Sequence, residues 1–93
     1  MKAIWNGRVI AESAYTIMIE GFHYFPHESV RKEYLVESDT ETSSPWKGIA
    51  SFFNLLVDGE ENPDSAWHYA EPTSLFMDIK HHIAFWRGVE VVK

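Results

Sequence analysis

The stretch that most constrains the fold is Ser44-Pro45-Trp46-Lys47-Gly48, followed by Ile49-Ala50-Ser51-Phe52-Phe53-Asn54-Leu55-Leu56-Val57. Pro45 and Gly48 punctuate a turn, and the run behind them is the longest β-type segment in the chain. A turn held by a sheet is a natural place from which to aim side chains into a cleft, and this one carries an aromatic ring and a cation.

Other turn signals divide the rest of the chain into short strands. Asn6-Gly7, the pair best suited to positive φ in a two-residue turn, separates Ala3-Ile4-Trp5 from Arg8-Val9-Ile10-Ala11 and predicts an N-terminal hairpin. Tyr15, Ile17 and Ile19 alternate with Thr16, Met18 and Glu20, which predicts a third strand ended by Gly21. Phe22 to Pro26 reads as an aromatic elbow, and His27 to Val30 has room for one helical turn at most. Arg31 to Val36 is a candidate strand, while the acidic Glu37 to Ser44 reads as a solvated loop or an edge.

The central strand ends at Asp58-Gly59, and Asn62-Pro63-Asp64 is expected to lengthen that loop. Ala66 to Ala70 alternates again, with Trp67 and Tyr69 on one side and His68 on the other. Leu75, Phe76 and Ile79 fit a short amphipathic helix near residues 73–80, capped by Thr73 or Ser74. His82 to Trp86 and Val89 to Val92 supply closing strands. Six to eight short strands with one short helix, and no βαβ alternation, indicate a mainly β, antiparallel system.

Ninety-three residues, 45% of them hydrophobic, fit one domain spanning residues 1–93. Its core must be small, and six Phe, four Tyr and four Trp compensate, since each ring can bury roughly 150–250 Å². Fourteen acidic against eight basic residues give a net charge of −6 with no basic cluster, so neither nucleic acid nor an anionic membrane is an expected partner. The absence of cysteine rules out disulfides and a thiolate zinc site. Trp5, Asn6, Gly7 and Arg8 stand where a signal peptide needs unbroken apolar sequence, so a cytoplasmic location is expected.

Four groups of residues carry candidate chemistry. On the central turn, Lys47 can meet an anion or carbonyl with Trp46 as a stacking wall; the structural alternative is a packed Trp and a solvated Lys. His23, Tyr24, Glu28 and Arg31 form a polar group beside the elbow, with Tyr24 and Glu28 as cleft-lining candidates. A surface Glu28–Arg31 ion pair is the competing reading there. Trp67 and Tyr69 suit either core packing or a stacking platform, and Phe85 belongs to the core. The five histidines hold a metal only if the fold makes them converge; no metal site and no cofactor are expected.

His23-Tyr24-Phe25-Pro26-His27-Glu28-Ser29-Val30, Ser44-Pro45-Trp46-Lys47-Gly48, Ala66-Trp67-His68-Tyr69, Glu71-Pro72 and Ile83-Ala84-Phe85-Trp86 resemble, in order and spacing, the bacterial domain-of-unknown-function 427 family. The resemblance covers essentially the whole chain. It implies a β-tent, Mss4-like arrangement of two antiparallel sheets with a pocket between them. It also brings the label of a nucleotidyltransferase-like domain without an assigned activity. Relatives look as though they carry Cys where this chain has Ser44, which again argues against a zinc role.

The label finds little chemistry to attach to. Asp39 and Glu41 share one face of a strand by their i, i+2 spacing, but no Gly-rich phosphate cradle occurs, and no Gly-x-Ser-x-Gly elbow supports a hydrolase. The expectation is a domain that binds a small polar or anionic ligand in an aromatic cleft built by Tyr24, Glu28, Trp46, Lys47, Trp67 and Tyr69. The alternatives are Mg²⁺-dependent nucleotidyl transfer through Asp39 and Glu41, or an interaction module whose exposed aromatics bury in a partner or a homodimer.

Overall fold

Asn6 and Gly7 take φ values of 50° and 75°, and the hairpin they turn opens a chain of nine strands. The computed structural model describes residues 1–93. The strands are β1 (Lys2–Trp5), β2 (Arg8–Glu12), β3 (Ile17–Ile19), β4 (Phe22–Pro26), β5 (Leu35–Ser44), β6 (Gly48–Val57), β7 (Glu60–Tyr69), β8 (His82–Phe85) and β9 (Glu90–Val92). They form two antiparallel sheets, a three-stranded one in the order β2-β1-β9 and a six-stranded one in the order β3-β4-β8-β7-β6-β5.

Alternation along the strands of the large sheet gives it two apolar faces. Phe25, Leu55, Ala66, Ile83 and Phe85 turn toward Ala3, Ile10 and Ala11 of the small sheet, and Val30 and Val57 complete that core. Tyr24, Ala50, Phe52, Trp67, Tyr69 and Ala84 project from the opposite face, where Ile79 joins them. The small sheet thus roofs one face, and the other carries a second, aromatic cluster.

Several elements differ from the sequence expectation in ways that have a local cause. The Phe22–Pro26 elbow is a strand, paired with β3 and β8. Within the candidate strand Arg31–Val36, Lys32–Tyr34 forms a 3-10 turn, and extended pairing begins only at Leu35. It then continues through the acidic segment to Ser44, which is therefore the edge of the sheet. Polar residues are tolerated there because one side of an edge strand meets solvent. Asn62-Pro63-Asp64 lies inside β7 rather than in a loop. Asp64 sits at φ 52° beside a register shift between Phe53 and Leu55, and its N–H donates to the Asn54 Oδ1 at 2.8 Å. A bulge accommodates Pro63, which has no N–H to give to a ladder.

The short helix is a 3-10 segment, Ser74–Ile79, broken by Phe76 at φ −120°, ψ 22°. Ile79 is buried, but Leu75 is 82% exposed, because a three-residue turn sends the two side chains in different directions from those of an α-helix. Neither Thr73 nor Ser74 caps it through a side chain. The Thr73 hydroxyl instead donates to the Trp46 carbonyl.

Candidate functional site

The aromatic face of the large sheet holds a pocket of about 150 Å³. Four of the six residues singled out in the sequence line it: Tyr24 from β4, Trp67 and Tyr69 from β7, and Lys47 from the β5–β6 turn. The pocket does not lie between the two sheets. Its walls all come from the six-stranded sheet and its connections, on the face turned away from the small sheet, because Tyr24 and Trp67 alternate with the core residues Phe25 and Ala66.

Trp67 sits at the centre. Phe22 meets it edge-on at 4.9 Å, Tyr24 at 6.1 Å and Trp86 at 5.5 Å between ring centroids. Edge-to-face geometry at these distances is favourable and fixes the rings against one another. The Trp67 Nε1–H donates to the Tyr24 hydroxyl at 3.2 Å. Burial, more than any neighbouring charge, pushes the Tyr24 phenol up to about 12. Tyr24 is therefore a protonated hydrogen-bonding group at neutral pH, not a base.

Lys47 closes the mouth. Its Nζ donates to the Glu20 Oε1 at 2.5 Å and lies 5.6 Å from the centre of the Phe76 ring. Glu20 sits on the β3–β4 turn, whereas Lys47 precedes β6. In a flat sheet β4 and β6 stand three strand spacings apart, roughly 14 Å. The ion pair joins the β3–β4 turn to the β5–β6 turn. Backbone contacts hold Lys47 from behind: its N–H donates to the Ser44 Oγ, and its carbonyl accepts the Thr73 N–H at 2.9 Å.

Trp46 and Glu28 are not brought to the pocket. Trp46 is 70% exposed, because successive side chains of the turn diverge and Lys47 is the one that points inward. Glu28 is exposed on the 3-10 turn His27–Ser29. Its expected ion pair with Arg31 is also absent, since Arg31 is extended at φ −77°, ψ 103° and leaves the helical path. Sequence reasoning missed Glu20, Phe22, Thr42, Ala50, Phe52 and Trp86 among the lining residues. The alternation Phe22, Tyr24 offered a signal for the first aromatic, obscured by reading that segment as an elbow. For Glu20, only its meeting with Lys47 in the folded chain reveals the role.

His27, His68, His81 and His82, with Glu71 and Lys80, surround a second hollow of about 330 Å³. No group of three His, Asp or Glu side chains converges closely enough to hold a metal ion. His68 stacks on Phe53 at 5.0 Å, and burial, reinforced by the nearby His27, lowers its pKa against the opposing pull of Glu37.

A family model described as "Domain of unknown function (DUF427)" matches residues 1–93, the full length of the chain. The chain belongs to the DUF427 family. The short name of that family model refers to NTP transfer, whereas its description assigns no activity. No curated protein matches the chain. In this DUF427 chain Asp39 and Glu41 are exposed on the edge strand, Asp39 within the shift of register between Glu37 and Glu41 and Glu41 paired with Ser51. They lie outside the aromatic pocket. The pocket presents ring faces, hydroxyls, the Lys47 ammonium and the Glu20 carboxylate.

Proposed function

We propose that this DUF427 domain binds a small ligand whose apolar part enters the aromatic pocket and whose polar or anionic end meets Lys47. The observation that carries the reading is Lys47 itself, a cation only 9% exposed and aimed over a pocket with seven hydrophobic lining residues out of ten. A buried ammonium costs free energy unless an acceptor meets it; Glu20 is that acceptor here, and its carboxylate marks the position as one built around negative charge. Small-molecule sites typically join apolar walls to a few placed polar groups in this way.

Size narrows the ligand. About 150 Å³ is below the ~300–1,000 Å³ of pockets that engulf drug-sized molecules and close to a cavity that admits one benzene ring. A nucleoside triphosphate exceeds it, and the carboxylates that nucleotidyl transfer needs around Mg²⁺ are not supplied by Asp39 and Glu41 at this pocket, which neither lines.

Thermal unfolding with small carboxylates, and with nucleotides with and without Mg²⁺, tests the reading. A binding carboxylate at a hundred times its Kd should stabilise by about 2.7 kcal/mol, a rise of roughly 10 °C or more for a domain this size, without metal. Lys47→Met should abolish the rise. A Mg²⁺-dependent nucleotide shift with no carboxylate response would replace this reading by the transferase one.

A further inference from the structure

The same pocket carries a second inference, which rests on the binding role proposed above: its anion position is already filled by the chain's own carboxylate. We infer that Glu20 is a built-in competitor, and that the pocket takes a single-ring monocarboxylate which displaces it.

The two members of the Glu20–Lys47 pair are held very differently. The Lys47 side chain is 11% exposed, its backbone is tied to Ser44 and Thr73, and its Nζ has one hydrogen-bond acceptor, Glu20 Oε1. The Glu20 side chain is 66% exposed and makes no other hydrogen bond or ion pair. It stands on a two-residue turn at φ 53°, followed by Gly21 at φ 86°. When the pair opens, Glu20 swings into water and Lys47 stays in place, at a cost for the uncovered ammonium that an incoming carboxylate removes. The ammonium is left facing a pocket of one-ring size, in the position where a carboxylate has just been.

Charge then selects among anions. Lys47 is the single cation among the lining residues, and the displaced Glu20 remains tethered at the rim. A monocarboxylate meets one positive and one negative neighbour and gains the short hydrogen bond. A doubly charged phosphate ester doubles both the Lys47 attraction and the Glu20 repulsion and carries a second charge with no partner, in a chain of net charge −6. Glu20 is thus a specificity-determining residue as well as a gate.

Titration calorimetry at pH 8 with benzoate, phenyl phosphate and benzyl alcohol, on the wild-type chain and on Glu20→Gln and Lys47→Met, tests the inference. At this pH the phosphate is doubly charged. Benzoate should bind the wild type, bind Glu20→Gln roughly five- to tenfold more tightly, and lose measurable affinity for Lys47→Met. Phenyl phosphate should gain more than benzoate from Glu20→Gln, because it loses the larger repulsion. Equal benzoate affinity for wild type and Glu20→Gln, with loss in Lys47→Met, overturns the gate and leaves the binding role standing. Tighter binding of benzyl alcohol or phenyl phosphate than of benzoate to the wild type overturns the carboxylate preference alone. If no ring compound binds even Glu20→Gln, whose Lys47 is unopposed, both the inference and the binding role fall. Unfolding midpoints of the variants establish that each is folded.

Discussion

Inside the aromatic cluster the Trp67 indole N–H and the Tyr24 hydroxyl have each other and little water: the two residues are 7% and 2% exposed. Removing the acceptor should therefore be felt as an unsatisfied donor rather than as a lost ring. Tyr24→Phe is expected to cost about 1–3 kcal/mol in urea unfolding, with an unchanged fold by circular dichroism. The phenol itself supplies a pH signature. Its folded value near 12 lies above the ordinary 10, so the folded chain holds the proton more tightly. Stability from this group is complete below pH 10 and is lost as pH rises through 12, and an ultraviolet titration should show a tyrosine that Tyr24→Phe removes ionising above the ordinary value. Lys47 and Trp46 show how far residue-scale reading reaches. Both residue types suit a ligand site, but in a turn the side chains at i and i+1 diverge, and nothing local says which one faces inward.

The β5–β6 turn is the element on which the pocket mouth depends. Gly48 has φ 112°, and a Cβ added there would lie 3.0 Å from the Glu71 carbonyl oxygen, a backbone atom that cannot swing aside. Gly48→Ala should destabilise by more than about 1 kcal/mol in chemical denaturation, and it should weaken carboxylate binding because the segment Thr73 holds against Lys47 must shift. A substitution with full stability and full affinity would show that the turn has slack. Turn chemistry made the hairpins legible: Asn6-Gly7 and Asp58-Gly59 both join paired strands, as their positive φ values require. The acidic edge strand was harder to read. Ser38 and Thr40 donate to the Asp64 carboxylate on another strand, at 2.5 and 2.8 Å, so that part of its order comes from a partner far along the chain.

Across the whole molecule, the two sheets and the hollow lined by histidines set the response to acid. His68 and His27 are both lowered from 6.5, chiefly by burial, so the unfolded chain binds protons first as pH falls. Stability is therefore full above about pH 6.5 and declines as pH drops toward their folded values. The unfolding midpoint should fall between pH 7 and 5, and His68→Gln should flatten that slope; an equal slope in the variant would place the titration elsewhere. No helix is long and apolar enough to cross a membrane. Alternation and turn residues, which are local, were enough to determine a mainly β, antiparallel protein, its hairpins, and the common face of Trp67 and Tyr69, while the division into two sheets came from the family resemblance. Family membership was legible for the same reason, since its motifs are short and contiguous. Which face stays open, and that Glu20 meets Lys47 across 27 positions of sequence, was decided by tertiary structure alone. Those outcomes depend on a six-stranded sheet whose strand order departs from chain order, and no local pattern encodes that order.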